Sequence, residues 1–154
     1  MPPQSVIYTR IAWLLPAMYA VHLAEEYYAG ITLPTWISTT FNADLSTTDF
    51  IWINAVAIGL ILSNAIAFSL GKRNLIILLA IVVILTLNGF LHVASSLLWW
   101  EYVPGTISGM VLYIPLGLLA FKRISQTVTG NQRKYGIIAG ILLHLVVFIL
   151  AQTI

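Results

Sequence analysis

Long stretches of this chain pass without a charged residue, and short charged breaks separate them. Uncharged runs cover Phe50–Gly71, Asn74–Trp100, Tyr102–Phe121 and Tyr135–Ile154. Each supplies about the 20 residues that a helix rising 1.5 Å per residue needs to cross the hydrocarbon of a bilayer. A fifth apolar stretch runs from Ile11 to about Tyr28, and its last turns turn polar. Lipid offers the backbone no hydrogen-bond partners, so every crossing segment is predicted to be a helix that bonds internally. The pattern predicts an all-α integral membrane bundle of five transmembrane helices in a single domain, 1–154, with spans at about 11–28, 50–70, 75–98, 105–121 and 135–152. The first span is expected to be retained rather than cleaved, because Glu25-Glu26-Tyr27-Tyr28 follows its apolar core where a leader would carry small residues.

Composition agrees with the pattern. Hydrophobic residues make up 60% of the chain and charged residues 8%, far from the roughly even apolar share and one-quarter charge of soluble domains. With no cysteine in the chain, disulfides and thiolate metal ligands are excluded. The basic residues Arg10, Lys72, Arg73, Lys122, Arg123, Arg133 and Lys134 precede the first span or fall in the loops after the second and fourth. The acids Asp44, Asp49 and Glu101 fall in the other loops. By the positive-inside rule the amino terminus is cytoplasmic and the carboxyl terminus outside. The net charge of +2 then reflects membrane anchoring and calls for no nucleic-acid partner. Short loops point to a bacterial plasma membrane.

This orientation sets the depth of the polar side chains. Glu25 lies ~21 Å along the first helix from Ile11, and His92 ~26 Å along the third from Leu75. Asn54 stands near the outer start of the second. All belong to the outer half of the bilayer, and His144, ~14 Å into the fifth helix, lies deeper. His22 precedes Glu25 by three residues and Glu26 by four, the spacings that share a helix face. Asn88 and His92 are likewise four apart. Glu101 and Tyr102 follow at the outer mouth. Ionisable residues inside a membrane are costly and mark function when a partner can be named. His22, Glu25, Glu26 and His92 are therefore the candidate metal ligands and, with Glu101 and Tyr102, the candidate catalytic residues. Asn88, Asn54 and His144 are candidates for holding a cofactor, His144 only if its helix tilts.

Three segments resemble a known family. His22-Leu23-Ala24-Glu25-Glu26, Asn88-Gly89-Phe90-Leu91-His92 and Tyr102-Val103-Pro104-Gly105 match, in order, the HxxEE, NxxxH and YxPG motifs of the HXXEE family of small integral membrane proteins. The resemblance spans Ile11 to about Phe121. It implies membership of a family of unsettled function suspected to be enzymatic, and it carries nothing to the fifth helix.

Three kinds of activity fit these residues. The favoured one is a membrane-embedded enzyme holding Zn²⁺ or Fe, as imidazole and carboxylate ligands without thiols suggest, and acting as a hydrolase or oxidoreductase on a lipid-like or other apolar substrate. The second is metal-free acid–base isomerisation or cyclisation of an isoprenoid-type lipid, with one of two neighbouring carboxylates kept protonated. The third is a non-enzymatic carrier or receptor for a metal, proton or small molecule. Membrane lipids are the expected partners. Gly136-x-x-x-Gly140 suits close helix packing and leaves a homodimer open. Pro104-Gly105 is expected to open the fourth helix. The outer segment 30–49 fits either a lid or a plain connector.

Overall fold

The computed structural model describes residues 3–153. Five helices are long and apolar enough to cross a membrane: α1 (Gln4–Tyr28), α3 (Thr47–Ser69), α4 (Leu75–Trp99), α5 (Thr106–Ser125) and α6 (Gly130–Thr153). A sixth, α2 (Leu33–Phe41), is short. No strand occurs among the described residues. The starts of three helices are set by local chemistry. Ser46 caps α3 by accepting from the Asp49 amide at 3.1 Å, and Asn74 caps α4 by accepting from Ile76 and Ile77 at 3.0 and 3.2 Å. Thr32 caps α2. Such side-chain oxygens satisfy amides that the first helical turn leaves without partners.

The helices outrun the uncharged stretches. α1 begins at Gln4, α5 continues through Lys122 and Arg123 to Ser125, and α6 starts at Gly130. Backbone bonding does not stop where charge begins, and cations in a last turn interact favourably with the helix dipole. Pro104 and Gly105 do not open α5 as the sequence suggests. They precede it, and Gly105 turns the chain in the left-handed region, at φ 97°.

α4 lies at the centre, packed against α6 and α5 and touching α1 and α3. Apolar side chains cover the outside of the bundle as well as its inside, so the hydrophobic effect cannot hold the helices together in lipid. Close packing of small residues does. The α4–α5 crossing brings Gly109 against Gly89, where an added Cβ would lie 3.1 Å from the Gly89 Cα. Farther along, Gly117 faces Thr86. On the other side of α4, Gly136 seats Leu79, and Gly140 seats Val83 and the Ala80 carbonyl. The Gly136-x-x-x-Gly140 face is therefore used within the chain, and any homodimer must use another.

The 30–49 segment, undecided from the sequence, holds α2 docked on one end of the bundle. Trp36 and Ile37 are buried there and pack with Val103 from the turn before α5, against which Ala151 of α6 also rests. Trp36, Phe41 and Trp99 meet edge to face at centroid distances of 5.5–5.7 Å, a geometry that aromatic rings favour. This is the acidic end of the bundle: all five acids lie here, and the seven lysines and arginines lie toward the opposite end.

The glycine contacts make two substitutions differ in sign. A Gly140→Ala methyl would lie 2.7 Å from Val83 Cβ and 2.8 Å from the Ala80 carbonyl oxygen, while one at Gly59 would meet nothing within 4 Å. Gly140→Ala is expected to cost about 1–3 kcal/mol, and Gly59→Ala to be neutral or stabilising by up to about 1 kcal/mol. Thermal unfolding of both variants in detergent measures the contrast.

Candidate metal centre

The centre is assembled where α1, α4 and the start of α5 meet. On α1, four residues separate His22 from Glu26, so one face presents both. Both are buried, and His22 Nε2 lies 3.2 Å from Glu26 Oε1. α4 contributes His92, also buried, whose Nε2 lies 3.2 Å from the same carboxylate oxygen. The two imidazoles meet edge to face at 4.9 Å. One ligand atom from each of His22, Glu26 and His92 falls within 4.8 Å of the others.

His22 is fixed by α5. Its Nδ1 lies 2.7 Å from Ser108 Oγ, and its ring stacks on Tyr113 at a centroid distance of 4.2 Å. Ser108 and Tyr113 are five residues apart, which an α-helix would separate by about 140° around its axis. The chain between them, Gly109–Tyr113, forms a π turn, whose i→i+5 bonding stacks residues five apart. The turn brings both side chains onto one histidine. The Ser108 hydroxyl also lies 3.4 Å from the Gly105 carbonyl, which accepts from it. The contact with Oγ holds the His22 ring so that Nε2 faces Glu26. Nε2 of His22 is buried and, although 3.2 Å from Glu26 Oε1, has no hydrogen-bond partner.

Gly105 closes the centre. A Cβ there would lie 2.8 Å from Cε1 of His22 and from Cε1 and Nδ1 of His92. Only a residue without a side chain, tolerant of positive φ, can bring the backbone this near both rings.

Glu25 is one step round the helix from Glu26 and points elsewhere. Its Oε1 accepts from Tyr102 Oη at 2.6 Å and from the Ile107 amide at 2.9 Å, and its Oε2 accepts from the Ser108 amide at 2.7 Å. These amides belong to the first turn of α5, so Glu25 caps that helix from another one, where a negative charge also meets the positive end of the dipole. Partial desolvation, with the hydrogen-bonded Glu25 carboxylate beside it, raises the Tyr102 hydroxyl above the ordinary tyrosine range although the residue is exposed.

A family model described as "Protein of unknown function with HXXEE motif" matches residues 13–120. The chain belongs to the HXXEE family. No curated protein and no solved structure matches it. In this HXXEE protein the motif residues divide the work. The first motif supplies two members of the cluster, His22 and Glu26, and a cap, Glu25. The second supplies His92 and, at Gly89, the close α4–α5 crossing. The third supplies Tyr102, which bonds Glu25, and Gly105, which backs onto both imidazoles.

The other residues singled out from the sequence are outside the His22–Glu26–His92 cluster. Asn88 is partly buried, with Oδ1 lacking a hydrogen-bond partner. His144 is buried with Nε2 likewise lacking one, and His92 acts on it electrostatically. Asn54 accepts from the Tyr19 hydroxyl and donates to the Phe50 carbonyl at 2.8 Å. Glu101 accepts from Trp36 Nε1 at 2.5 Å, tying α2 to the bundle rather than entering the cluster. Ser108, Tyr113 and Tyr19 escaped notice in the sequence. The one signal for them was a polar group within an apolar span, and no α-helical spacing links Ser108 to Tyr113.

Gly105→Ala would force a methyl between the two imidazoles at a positive φ. A loss of stability of about 2–4 kcal/mol is expected, measured by unfolding in detergent. Unchanged stability would mean that the turn and the rings are not pressed together.

Proposed function

We propose that this protein is a membrane-embedded metalloenzyme in which His22, Glu26 and His92 hold one Zn²⁺ or Fe²⁺ ion, acting on a lipid-like substrate in the outer leaflet of a bacterial plasma membrane. The observation that carries the proposal is the pair of equal 3.2 Å separations from one Glu26 oxygen to two imidazole nitrogens. Ligands about 2.0–2.1 Å from a tetrahedral ion stand about 3.3 Å from one another, so both carboxylate–imidazole separations match ligands of one ion, and the three ligand atoms all lie within 4.8 Å. Two histidines and one carboxylate form a ligand set found in catalytic zinc sites and in non-haem iron oxygenases, which keep further positions open. The buried Nε2 of His22, which has no hydrogen-bond partner, supports the same assignment.

When bound, such an ion supplies a Lewis acid and lowers the pKa of water at an open position. The protein's own groups hold and shield it. Ser108 holds the ring angle of His22, as partners behind metal-bound histidines commonly do. Glu25 and Tyr102 pin the first turn of α5, and with it Ser108 and Gly105. Val103 and α2 cover the acidic end. The reading favours one ion, because Glu25 is engaged at α5 and the cluster offers three ligands. The segregation of acids and bases to opposite ends supports a cytoplasmic amino terminus and an outer-leaflet site.

Elemental analysis of protein purified without a histidine tag is expected to find about one Zn or Fe per chain. Glu26→Gln and His92→Ala should lose at least about tenfold in metal affinity. Glu25→Gln should keep the metal while costing about 1–2 kcal/mol through its weakened cap. If Glu25→Gln empties the site and Glu26→Gln does not, the ligand assignment fails. A folded wild type with no metal would move the assignment to acid–base chemistry by Glu26 and its two imidazoles.

A further inference from the structure

Two rings lie face to face at the cluster, and each carries a buried polar atom without a hydrogen-bond partner. Tyr113 stacks on His22 at a centroid distance of 4.2 Å and an interplanar angle of 29°. The Tyr113 hydroxyl and Nε2 of His22 are both buried, and neither has such a partner among the described residues. The Tyr113 side chain is fully buried, and it cannot swing away to find one. Its backbone is pressed on α4, where a Cβ added to Gly89 would lie 2.8 Å from Tyr113 Cβ. Its ring is held against α1 by His22. A phenylalanine would fill the same space without a stranded hydroxyl, and a buried hydroxyl with no partner is costly. In hydrocarbon no bulk water offsets that cost. Buried polar atoms left in this way are commonly satisfied by a water that bonds to several of them.

We propose that the Tyr113 hydroxyl is the hydrogen-bond donor for an oxygen ligand held at the His22–Glu26–His92 cluster, water at rest and a carbonyl or carboxyl oxygen when such a ligand is offered. Tyr113 covers a face of one of the cluster's own imidazoles, so its hydroxyl is enclosed beside the cluster and away from lipid. The Glu26 carboxylate acts on it electrostatically. The cluster offers three ligand atoms, and catalytic ions with three protein ligands keep a further position for water or substrate. A phenol suits that position, because it donates to an oxygen without adding charge. The π turn that stacks Tyr113 on His22 thereby also supplies the cluster with a donor. The inference deepens the reading above by naming what the cluster binds, and it rests on that reading only in treating the bound oxygen as part of a reaction.

The test measures unfolding midpoints of the untagged protein in detergent, in sodium formate against sodium chloride of equal concentration. Formate, a small oxygen acceptor, is expected to raise the wild-type midpoint by about 2 °C or more over chloride. Tyr113→Phe keeps the ring on His22 and should keep the metal, yet lose most of the formate shift. Without formate its midpoint should lie about 2 °C or more below wild type, because the hydroxyl it lacks is partnered by water. A variant midpoint at or above wild type means that the hydroxyl was idle and overturns the inference. A formate shift undiminished by the substitution overturns it as well. Metal content measured on the same samples separates the two proposals. A formate shift in metal-free wild type that Tyr113→Phe abolishes overturns the metal centre and leaves the donor standing. Bound metal with no formate shift does the reverse, and neither metal nor shift overturns both.

Discussion

A single buried carboxylate sets the terms for this structure. Glu26 lies inside a bundle whose surroundings are hydrocarbon, where an ionised side chain without partners would cost many kcal/mol. Its partners are two imidazoles, and holding them at 3.2 Å from one oxygen requires α1 and α4 to keep their rotation and depth. α5 then enforces that alignment from a third direction. Ser108 and Tyr113 grip His22, Gly105 presses on both rings, and Glu25 anchors the start of α5 back to α1. Two adjacent glutamates thus serve opposite ends of one requirement: Glu26 needs the histidines, and Glu25 fixes the helix that positions them.

The glycines serve the same requirement. In lipid, helices gain little from burying apolar surface against each other, so close backbone approach has to hold the bundle. Gly89 and Gly109 let α4 and α5 cross within van der Waals contact one turn below His92. Gly136 and Gly140 seat α6 on the far side of α4. α4 is clamped from both sides, and His92 cannot turn away from Glu26 without opening a glycine contact.

The sequence made the scaffold and half of the centre legible, for physical reasons that stop at identifiable residues. Hydrocarbon thickness translates directly into uncharged runs, so the five helices could be read from them. Alternating topology placed Glu26 and His92 at similar depth, and the four-residue spacing joined His22 to Glu26. Adjacency hid the division between Glu25 and Glu26, because neighbours on a helix point about 100° apart and the sequence does not say which direction faces α4. Ser108 and Tyr113 were hidden because a π turn breaks the periodicity by which faces are read. α2 was hidden because a nine-residue helix docked on a bundle end leaves a pattern no stronger than that of a connector.

The central claim is that His22, Glu26 and His92 are the inner ligands of one ion. X-ray absorption at the metal edge of untagged protein tests it most directly. The account predicts a first shell of nitrogen and oxygen at about 2.0–2.2 Å, with outer-shell scattering from two imidazoles that falls to one in His92→Ala. An edge showing no imidazole scattering, or a spectrum identical in wild type and His92→Ala, would contradict it.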